Sequence, residues 1–329
     1  MQIETPKLWF DSASSALHLP RTIGYCLLGV VPAAILWCIG IGTRIATDFT
    51  GYPPVSLPLL LVNVVYLLLA SQLIHRRTLQ LGEYTKSLGV EVESDQLGRL
   101  TSLKGIMMAW ALLLCLTSLV IDPYVYNLYY PPLQAAMRLV VTGYLRFIQA
   151  TFLWTLGCSM YLIYKWGKLP IRLKSFAEDR TLGLNVYGRA SLLFVTLYIV
   201  AMLLTFPIFV YKSDAVVWSE AAFSLLGLAI FAVPLFSLRE RLVGAKKEKL
   251  AWITRRHARA IESIESCGDG PIDAVMVNEL IAVDRIRTDL QHISGWPFNA
   301  GVVVRLFTVV FVPLFLVLVS VYLTRALNL

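Results

Sequence analysis

Seven long apolar stretches, separated by polar joints, run through the whole chain. Most of them have about the 20 residues that a helix needs to cross a hydrocarbon layer roughly 30 Å thick. Because lipid offers the backbone no hydrogen bonds, each stretch must be helical where it enters the membrane. The pattern predicts an all-α bundle of seven transmembrane helices. The stretches cover residues 22–43, 55–74, 105–121, 139–164, 191–210, 215–238 and 301–324.

Lysine and arginine are concentrated in alternate joints. Residues 1–21, 75–104, 165–190 and 238–300 hold 2, 5, 6 and 10 of them, whereas the other joints and the carboxyl terminus hold only Arg44, Arg138, Lys212 and Arg325. Cytoplasmic loops carry such an excess of positive charge. We therefore expect the amino terminus inside and the carboxyl terminus outside, in a multi-pass protein of the cell (plasma or cytoplasmic) membrane.

The composition excludes a soluble protein and gives no support to a nucleic-acid binder. Hydrophobic residues make up 57% of the chain and charged residues 15%, against about 25% charged in soluble domains. The net charge of +8 comes from cations at the ends of apolar stretches, where anionic lipids of the cytoplasmic leaflet attract them. No basic module with interleaved aromatic residues accompanies the charge. The expected partner is the lipid bilayer rather than nucleic acid.

The joints divide the chain into four parts. Residues 1–21 combine apolar positions with Trp9 and predict a short interfacial segment at the inner membrane surface. Residues 22–238 form the six-span bundle, residues 239–300 a cytoplasmic helical hairpin, and residues 301–329 the seventh span with a short outer tail.

The hairpin prediction depends on apolar residues at spacings of three and four on both sides of a turn containing Gly268, Gly270 and Pro271. Two amphipathic helices of this kind either bury their apolar faces against each other or bury them against other subunits. We expect a homo-oligomer held together by residues 239–300. The apolar positions are Leu250, Ile253, His257, Ala260 and Ile264 in the first helix, and Met276, Val283, Ile286, Leu290 and Ile293 in the second.

Catalytic motifs are missing from the sequence. There is no glycine-rich phosphate loop, nucleophile elbow or zinc-protease histidine pair. The four histidines lie far apart, and the five cysteines have no metal or redox spacing. We therefore expect no enzyme, no metal site and no cofactor.

Charged residues at membrane depth are the first candidates for a site, because their cost makes them face protein or water. Arg146 and Glu220 are predicted at similar depths from the outer side. They would line an outward-opening ligand pocket with Asp122, Tyr144 and Gln149 nearby. The alternatives are a structural ion pair, or side chains that extend to the lipid headgroups.

Polar interruptions of the last apolar stretch are the second candidates. Arg305, Thr308, Pro313 and Ser320 would lie near a pore or gate if several copies assembled around an axis. A ring of arginines would favour anions, and the apolar remainder would gate by dewetting. Alternatively, Arg305 reaches back to the headgroups.

The layout resembles one known class of channels. Seven spans, an inside amino terminus, an outside carboxyl terminus and a cytoplasmic helical segment before the last span are similar to the insect odorant and gustatory receptors, within the seven-transmembrane ion channel superfamily. The resemblance covers the whole chain in layout only, since the Thr-Tyr and Gln-Phe pattern of that family's last span is missing from 306–323. It implies a tetramer whose last span lines the pore and whose cytoplasmic helices join the subunits, without assigning any residue a role.

Two classes of function follow. The sequence favours an oligomeric, ligand-responsive, channel-like receptor with the last span near the pore. The alternative is a membrane-anchored docking or scaffold protein that recruits a partner through the cytoplasmic hairpin. A transporter would be expected to show matched broken helices in two inverted halves, and the sequence has no clear pair of this kind. The ligand stays unknown.

Overall fold

The computed structural model describes residues 7–18, 20, 23–31, 56–90, 92–120, 132–169, 183–209, 214–266 and 274–291. The chain is almost entirely helical over these ranges, and they contain no strand, which confirms the all-α prediction for this part. The helices are α1 (Trp9–Ala16), α2 (residues 23–31), α3 (Ser56–Ser87), α4 (Ser94–Gly98) with a 3₁₀ turn (Arg99–Thr101), α5 (Leu103–Val120), α6 (Pro132–Lys168), α7 (Asn185–Phe209), α8 (Asp214–Ser266) and α9 (Ala274–Gln291).

Two helices in the described ranges are long and apolar enough to cross a membrane: Gly143–Lys168 within α6 and Asn185–Thr205 within α7. They coincide with the predicted stretches 139–164 and 191–210. A third candidate is the pair Asp95–Thr101 and Leu103–Cys115, which meet at an angle of 46°. The chain is thus a membrane protein with two or three candidate spans in its described part. The predicted span 301–324 and most of 22–43 lie outside the described residues.

In the part of the chain that the structure describes, four long helices form the core. The central helix α6 packs against α3 and α8, and α7 packs against the same two partners, so α6 and α7 lie on opposite sides of the bundle. Helix α5 packs against α6. This arrangement encloses a single core of apolar side chains contributed mainly by α3, α6 and α7.

Contacts between side chains give the relative directions of α3 and α6. Thr78 lies beside Ser159, and the backbone at Gly82 lies close to the ring of Trp166. Residue numbers therefore rise together along both helices, which run parallel. Because α6 ends with Lys165 and Lys168, its basic end lies on the same side of the bundle as the later half of α3.

Helix α7 runs the opposite way. Asn63, near the start of α3, donates a hydrogen bond to Thr205 near the end of α7, whereas Thr85 meets Tyr187 near its start. The cation-rich ends of these helices consequently lie at one end of the bundle. Those cations are Arg76, Arg77 and Lys86 of α3, Lys165 and Lys168 of α6, and Arg189 of α7.

Helices α6 and α8 approach each other closely at Gly167. A Cβ atom added there would lie 2.6 Å from Oγ of Ser237 and 3.4 Å from the backbone nitrogen of Leu238. Any larger side chain would therefore push α8 away. Small residues serve this purpose where helices associate within membranes.

The amino-terminal helix α1 packs into the bundle. Leu8 and Phe10 are fully buried, and the indole Nε1 of Trp9 donates a 3.1 Å hydrogen bond to Oγ1 of Thr151 on α6. The rings of Phe10 and Tyr25 meet edge to face at 5.0 Å. Its apolar side is therefore covered by α2 and α6, and its predicted position at the inner membrane surface stays a prediction.

Helix α8 is continuous for 53 residues and crosses the predicted boundary between residues 238 and 239. The two parts that the sequence separates as span and hairpin thus share one helix of about 80 Å. Pro234 lies inside the helix, and Oγ of Ser237 donates to its carbonyl oxygen at 2.8 Å. Beyond Pro234 the sequence has no proline before the turn at Pro271, and a lone Gly244 does not end a helix.

Candidate functional site

The structure brings together two of the residues that the sequence predicts near an outer pocket. Nη1 of Arg146 donates a 2.7 Å hydrogen bond to Oε1 of Gln149, so these two side chains share one side of α6. Tyr144 points elsewhere, because its hydroxyl donates to the carbonyl oxygen of Leu28 on α2. Residues two apart on a helix do not face each other. The structure therefore groups Arg146 with Gln149 and separates Tyr144 from them.

The other predicted site residues lie outside what the structure describes. For Glu220 the backbone belongs to α8, and its side chain is not among those described. Asp122 and the pore candidates stay predictions for the same reason. The pore candidates are Arg305, Thr308, Pro313 and Ser320.

A line of buried polar residues, here called the polar seam, runs between α3, α6 and α7. Each of its members is less than one-tenth exposed. The members on α6 repeat at a spacing of four, which places them on one side of that helix. The seam comprises Ser71, His75, Thr78 and Thr85 of α3, Thr151, Thr155 and Ser159 of α6, and Tyr187 and Ser191 of α7.

Most of the hydroxyl groups in the polar seam form hydrogen bonds. Ser159 donates to the carbonyl oxygen of Thr155 one turn earlier, as the other seam hydroxyls of α6 do. Between helices, Oγ1 of Thr78 lies 2.8 Å from Oγ of Ser159, and Oγ1 of Thr85 lies 2.7 Å from the hydroxyl of Tyr187. Such bonds join helices in lipid. The seam therefore serves to hold the bundle together.

Helices α8 and α9 pack as the hairpin that the sequence predicts. Ile253 and Val283 are buried against each other, with Leu250 beside them. Nε2 of His257 lies 4.0 Å from a carboxylate oxygen of Asp284. The apolar faces thus cover each other in part. Ile286, which the spacing predicts on the buried face, is instead half exposed.

The same hairpin leaves large apolar side chains uncovered in the described chain. Trp252 is 55% exposed and Ile281 60% exposed. Val277 is also exposed and lies one turn from Ile281, on the side of α9 that faces away from Val283. We call Trp252, Val277 and Ile281 the hairpin surface. Coverage of this exposed surface by other subunits stays a prediction.

A groove of about 290 Å³ lies between the 3₁₀ turn and one side of α6. We call it the basic groove, because Arg99 and Lys165 line it from these two elements. The indole Nε1 of Trp154 donates a 3.0 Å hydrogen bond to the carbonyl oxygen of Arg99 and so holds the turn against α6. A Cβ atom on Gly105 would lie 2.0 Å from the Trp154 ring, so α5 packs there because residue 105 is glycine.

The basic groove was not among the sites predicted from the sequence. Trp154, Cys158, Tyr161 and Lys165 follow one another at helical spacings of three and four, a pattern that marks one side of α6. The pattern alone does not show what faces it. Arg99 belongs to a different joint and reaches this side only through the 3₁₀ turn.

The residues that the structure describes contain no group of three or more His, Cys, Asp or Glu side chains that could hold a metal ion. No protein-family model, no curated protein and no solved structure matches this chain. The function is therefore argued from the geometry and the chemistry of the sequence.

Proposed function

We propose that this chain is a seven-span membrane protein with a cytoplasmic amino terminus, which assembles through the α8–α9 hairpin into a ring and acts as a ligand-responsive, channel-like receptor. The observation that carries the proposal is the continuity of α8. One 53-residue helix joins the membrane bundle to the hairpin surface without a break. A change within the bundle would therefore move the surface at which subunits meet.

Side-chain exposure supports assembly through the hairpin. Trp252 and Ile281 present more than half of their surface although they belong to a short two-helix segment. Burying such side chains contributes about 25 cal/mol for each Å² of apolar surface removed from water. A second copy that covers the hairpin surface would provide this stabilisation.

Charge supports a contact between unlike helices of neighbouring copies. The α8 segment 239–262 carries eight basic and three acidic residues, whereas α9 carries three acidic and two basic ones. The basic α8 of one copy would therefore attract α9 of the next. Contacts between two different surfaces close into rings when the rotation allows it. A ring would place equivalent helices of all copies around one axis.

The receptor part of the proposal depends on two predicted sites. The Arg146–Gln149 pair would bind a ligand from the outer side, together with Glu220 and Asp122. The last apolar stretch would follow α9 toward the axis of the ring, with Arg305 at its inner end. Its apolar remainder would exclude water until the hairpin moves.

Particle mass and ion flux together test the proposal. The purified chain should form an oligomer in detergent and conduct ions in liposomes. Ile281→Glu should reduce both, because it places a charge in the buried part of the contact. The matched control, Ala282→Glu, adds the same charge at an exposed position on another side of α9 and should retain both. A monomer without flux would contradict the proposal.

The docking function is the second candidate, and the basic first half of the hairpin favours it. In that case the hairpin surface recruits a helical partner with an acidic face, and the bundle is only an anchor. Assembly and flux separate the two functions. A monomeric wild-type protein that conducts no ions would support docking.

A further inference from the structure

We propose that the basic groove binds an anionic phospholipid, with the lipid phosphate between Arg99 and Lys165 and the acyl chains along α5 and α6. This inference goes beyond the channel proposal and does not require assembly.

The groove offers positive charge from two independent elements. Arg99 comes from the 3₁₀ turn and Lys165 from α6. Among the described residues, the carboxylate of Asp95 lies near the Arg99 guanidinium, with Nη2 3.9 Å from Oδ2. Both of these side chains are mostly exposed, at 66% and 88%, so water screens their attraction and leaves the guanidinium accessible to a phosphate. Arginine and lysine are the usual ligands of phosphate groups.

The position of the groove along the bundle favours a lipid over a soluble ligand. Lys165 lies near the basic end of the candidate span Gly143–Lys168, and Arg99 lies just before the bend that leads into α5. Trp154 and Tyr161 line the groove, and aromatic side chains of this kind concentrate where the membrane meets water. The groove thus runs from Trp154, near the middle of that candidate span, to Lys165 near its basic end, which is the end expected at headgroup depth.

The neighbouring surface of α5 is suited to acyl chains. Of the apolar side chains that the structure describes on α5, four are more than half exposed, which is expected for a surface that contacts lipid rather than water. Gly105 lies against Trp154 and Trp110 against Gly143, so α5 runs along α6 from the groove in the direction away from Lys165. The four are Leu103, Met107, Met108 and Leu112.

Gly157 faces the open space of the groove. A Cβ atom added to Gly157 would meet no atom within 4 Å. A volume of about 290 Å³ accommodates a phosphate with its glycerol, but not a whole lipid. The remainder of the molecule must lie on the outer surface of α5 and α6, which is the arrangement proposed.

Lipid retention by the purified full chain tests the proposal. Native mass spectrometry would count lipids that stay bound after exchange into detergent with phosphatidylglycerol or with phosphatidylcholine, and a titration would give the apparent affinity. We expect phosphatidylglycerol to be retained and phosphatidylcholine to be lost. Arg99→Gln and Lys165→Gln should each weaken the affinity about fivefold, which corresponds to about 1 kcal/mol per cation. Lys104→Gln removes a cation that does not line the groove, and this change should leave the affinity unchanged.

A steric variant tests the location without changing charge. Gly157→Leu fills the groove and should abolish retention, whereas Gly244→Leu, at another open glycine on α8, should not. Circular dichroism of each variant without lipid verifies folding. If Gly157→Leu does not fold, the Arg99→Gln/Lys165→Gln double variant tests the proposal instead. Its affinity for phosphatidylglycerol should be about 25-fold weaker than that of the wild-type protein.

Two results would overturn the proposal. Equal retention of both lipids by the wild-type protein would show that the groove does not select anionic headgroups. Competition by millimolar inorganic phosphate alone, without any lipid dependence, would assign the groove to a free anion. Neither readout uses flux or assembly, so the channel proposal can fail while this one stands.

Discussion

The four-helix bundle and the α8–α9 hairpin bury their apolar side chains to different extents. In the bundle, large side chains such as Trp166 and Phe194 are fully covered, and polar groups lie inside. In the hairpin, Ile253 and Val283 are covered while Trp252 and Ile281 stay exposed. The bundle also exposes large apolar side chains such as Val62 and Val140, but it has an extensive core as well, whereas only Ile253 and Val283 form a buried cluster in the described hairpin.

The solvent explains part of this contrast. Lipid tails are as apolar as leucine, so a membrane bundle gains little from burying leucines and more from close packing and hydrogen bonds between helices. The polar seam and the contact at Gly167 supply both. A hairpin that lies in water, as proposed for α8 and α9, would gain mainly from apolar burial. Trp252, which is exposed in the described hairpin, would add to stability only when another surface covers it.

The largest expected effect comes from the same substitution in the two regions. Trp166→Ala should lower the free energy of unfolding by about 3–5 kcal/mol, because it leaves a cavity beside Gly82 in the bundle. In the Ile281→Glu background, which is expected to stay unassembled, Trp252→Ala should cost less than about 1 kcal/mol, because the ring is 55% exposed and has Arg256 over it at 5.7 Å. Denaturation in detergent, followed by circular dichroism, measures both changes. Equal losses would remove the contrast between bundle and hairpin.

A pair of glycines gives the next largest effect. Gly167→Leu should destabilise the bundle by about 1–3 kcal/mol, because the new side chain would overlap Ser237 on α8. Gly244→Leu meets no atom within 4 Å at its Cβ and should be neutral or slightly stabilising, since leucine favours a helix. Denaturation in detergent, followed by circular dichroism, also measures these two changes in stability. Tolerance of leucine at residue 167 would mean that α6 and α8 do not approach as described.

The polar seam predicts a smaller, coupled effect. Thr85→Val and Tyr187→Phe remove the two sides of one buried hydrogen bond, whose oxygen atoms lie 2.7 Å apart. A double-mutant cycle should give a coupling energy of about 0.5–1.5 kcal/mol. As a control, Thr196→Val removes a hydroxyl that donates to its own helix at Leu192, and it should not couple to Tyr187→Phe. A coupling of zero at Thr85 would show that the seam contributes no bond between α3 and α7.

The helices that cross apolar surroundings could be predicted from the sequence because length and hydropathy alone determine them. The stretches 139–164 and 191–210 correspond to α6 and α7 for this reason. Helix ends were harder to predict, since a joint that is polar in composition need not interrupt a helix. Both α3 and α8 continue well past their apolar stretches.

The candidate sites could be predicted from the sequence only where local helical spacing determines them. The spacing of Arg146 and Gln149 predicts a shared side of α6, and the structure pairs them. Helical periodicity also separates Tyr144 from Arg146, so depth alone does not show which residues of the predicted pocket share a side of α6. The basic groove needs Arg99 beside α6, a contact between distant joints that no local pattern in one sequence specifies.

Crosslinking at Ile281 tests most directly whether another copy covers the hairpin surface. In a Cys267→Ser background, Ile281→Cys places a thiol on the exposed side of α9, and Ala282→Cys places one on another side as the control. We expect a short bifunctional maleimide to join copies in membranes efficiently through residue 281 and poorly through residue 282. Equal, weak crosslinking at both positions would contradict assembly through this surface.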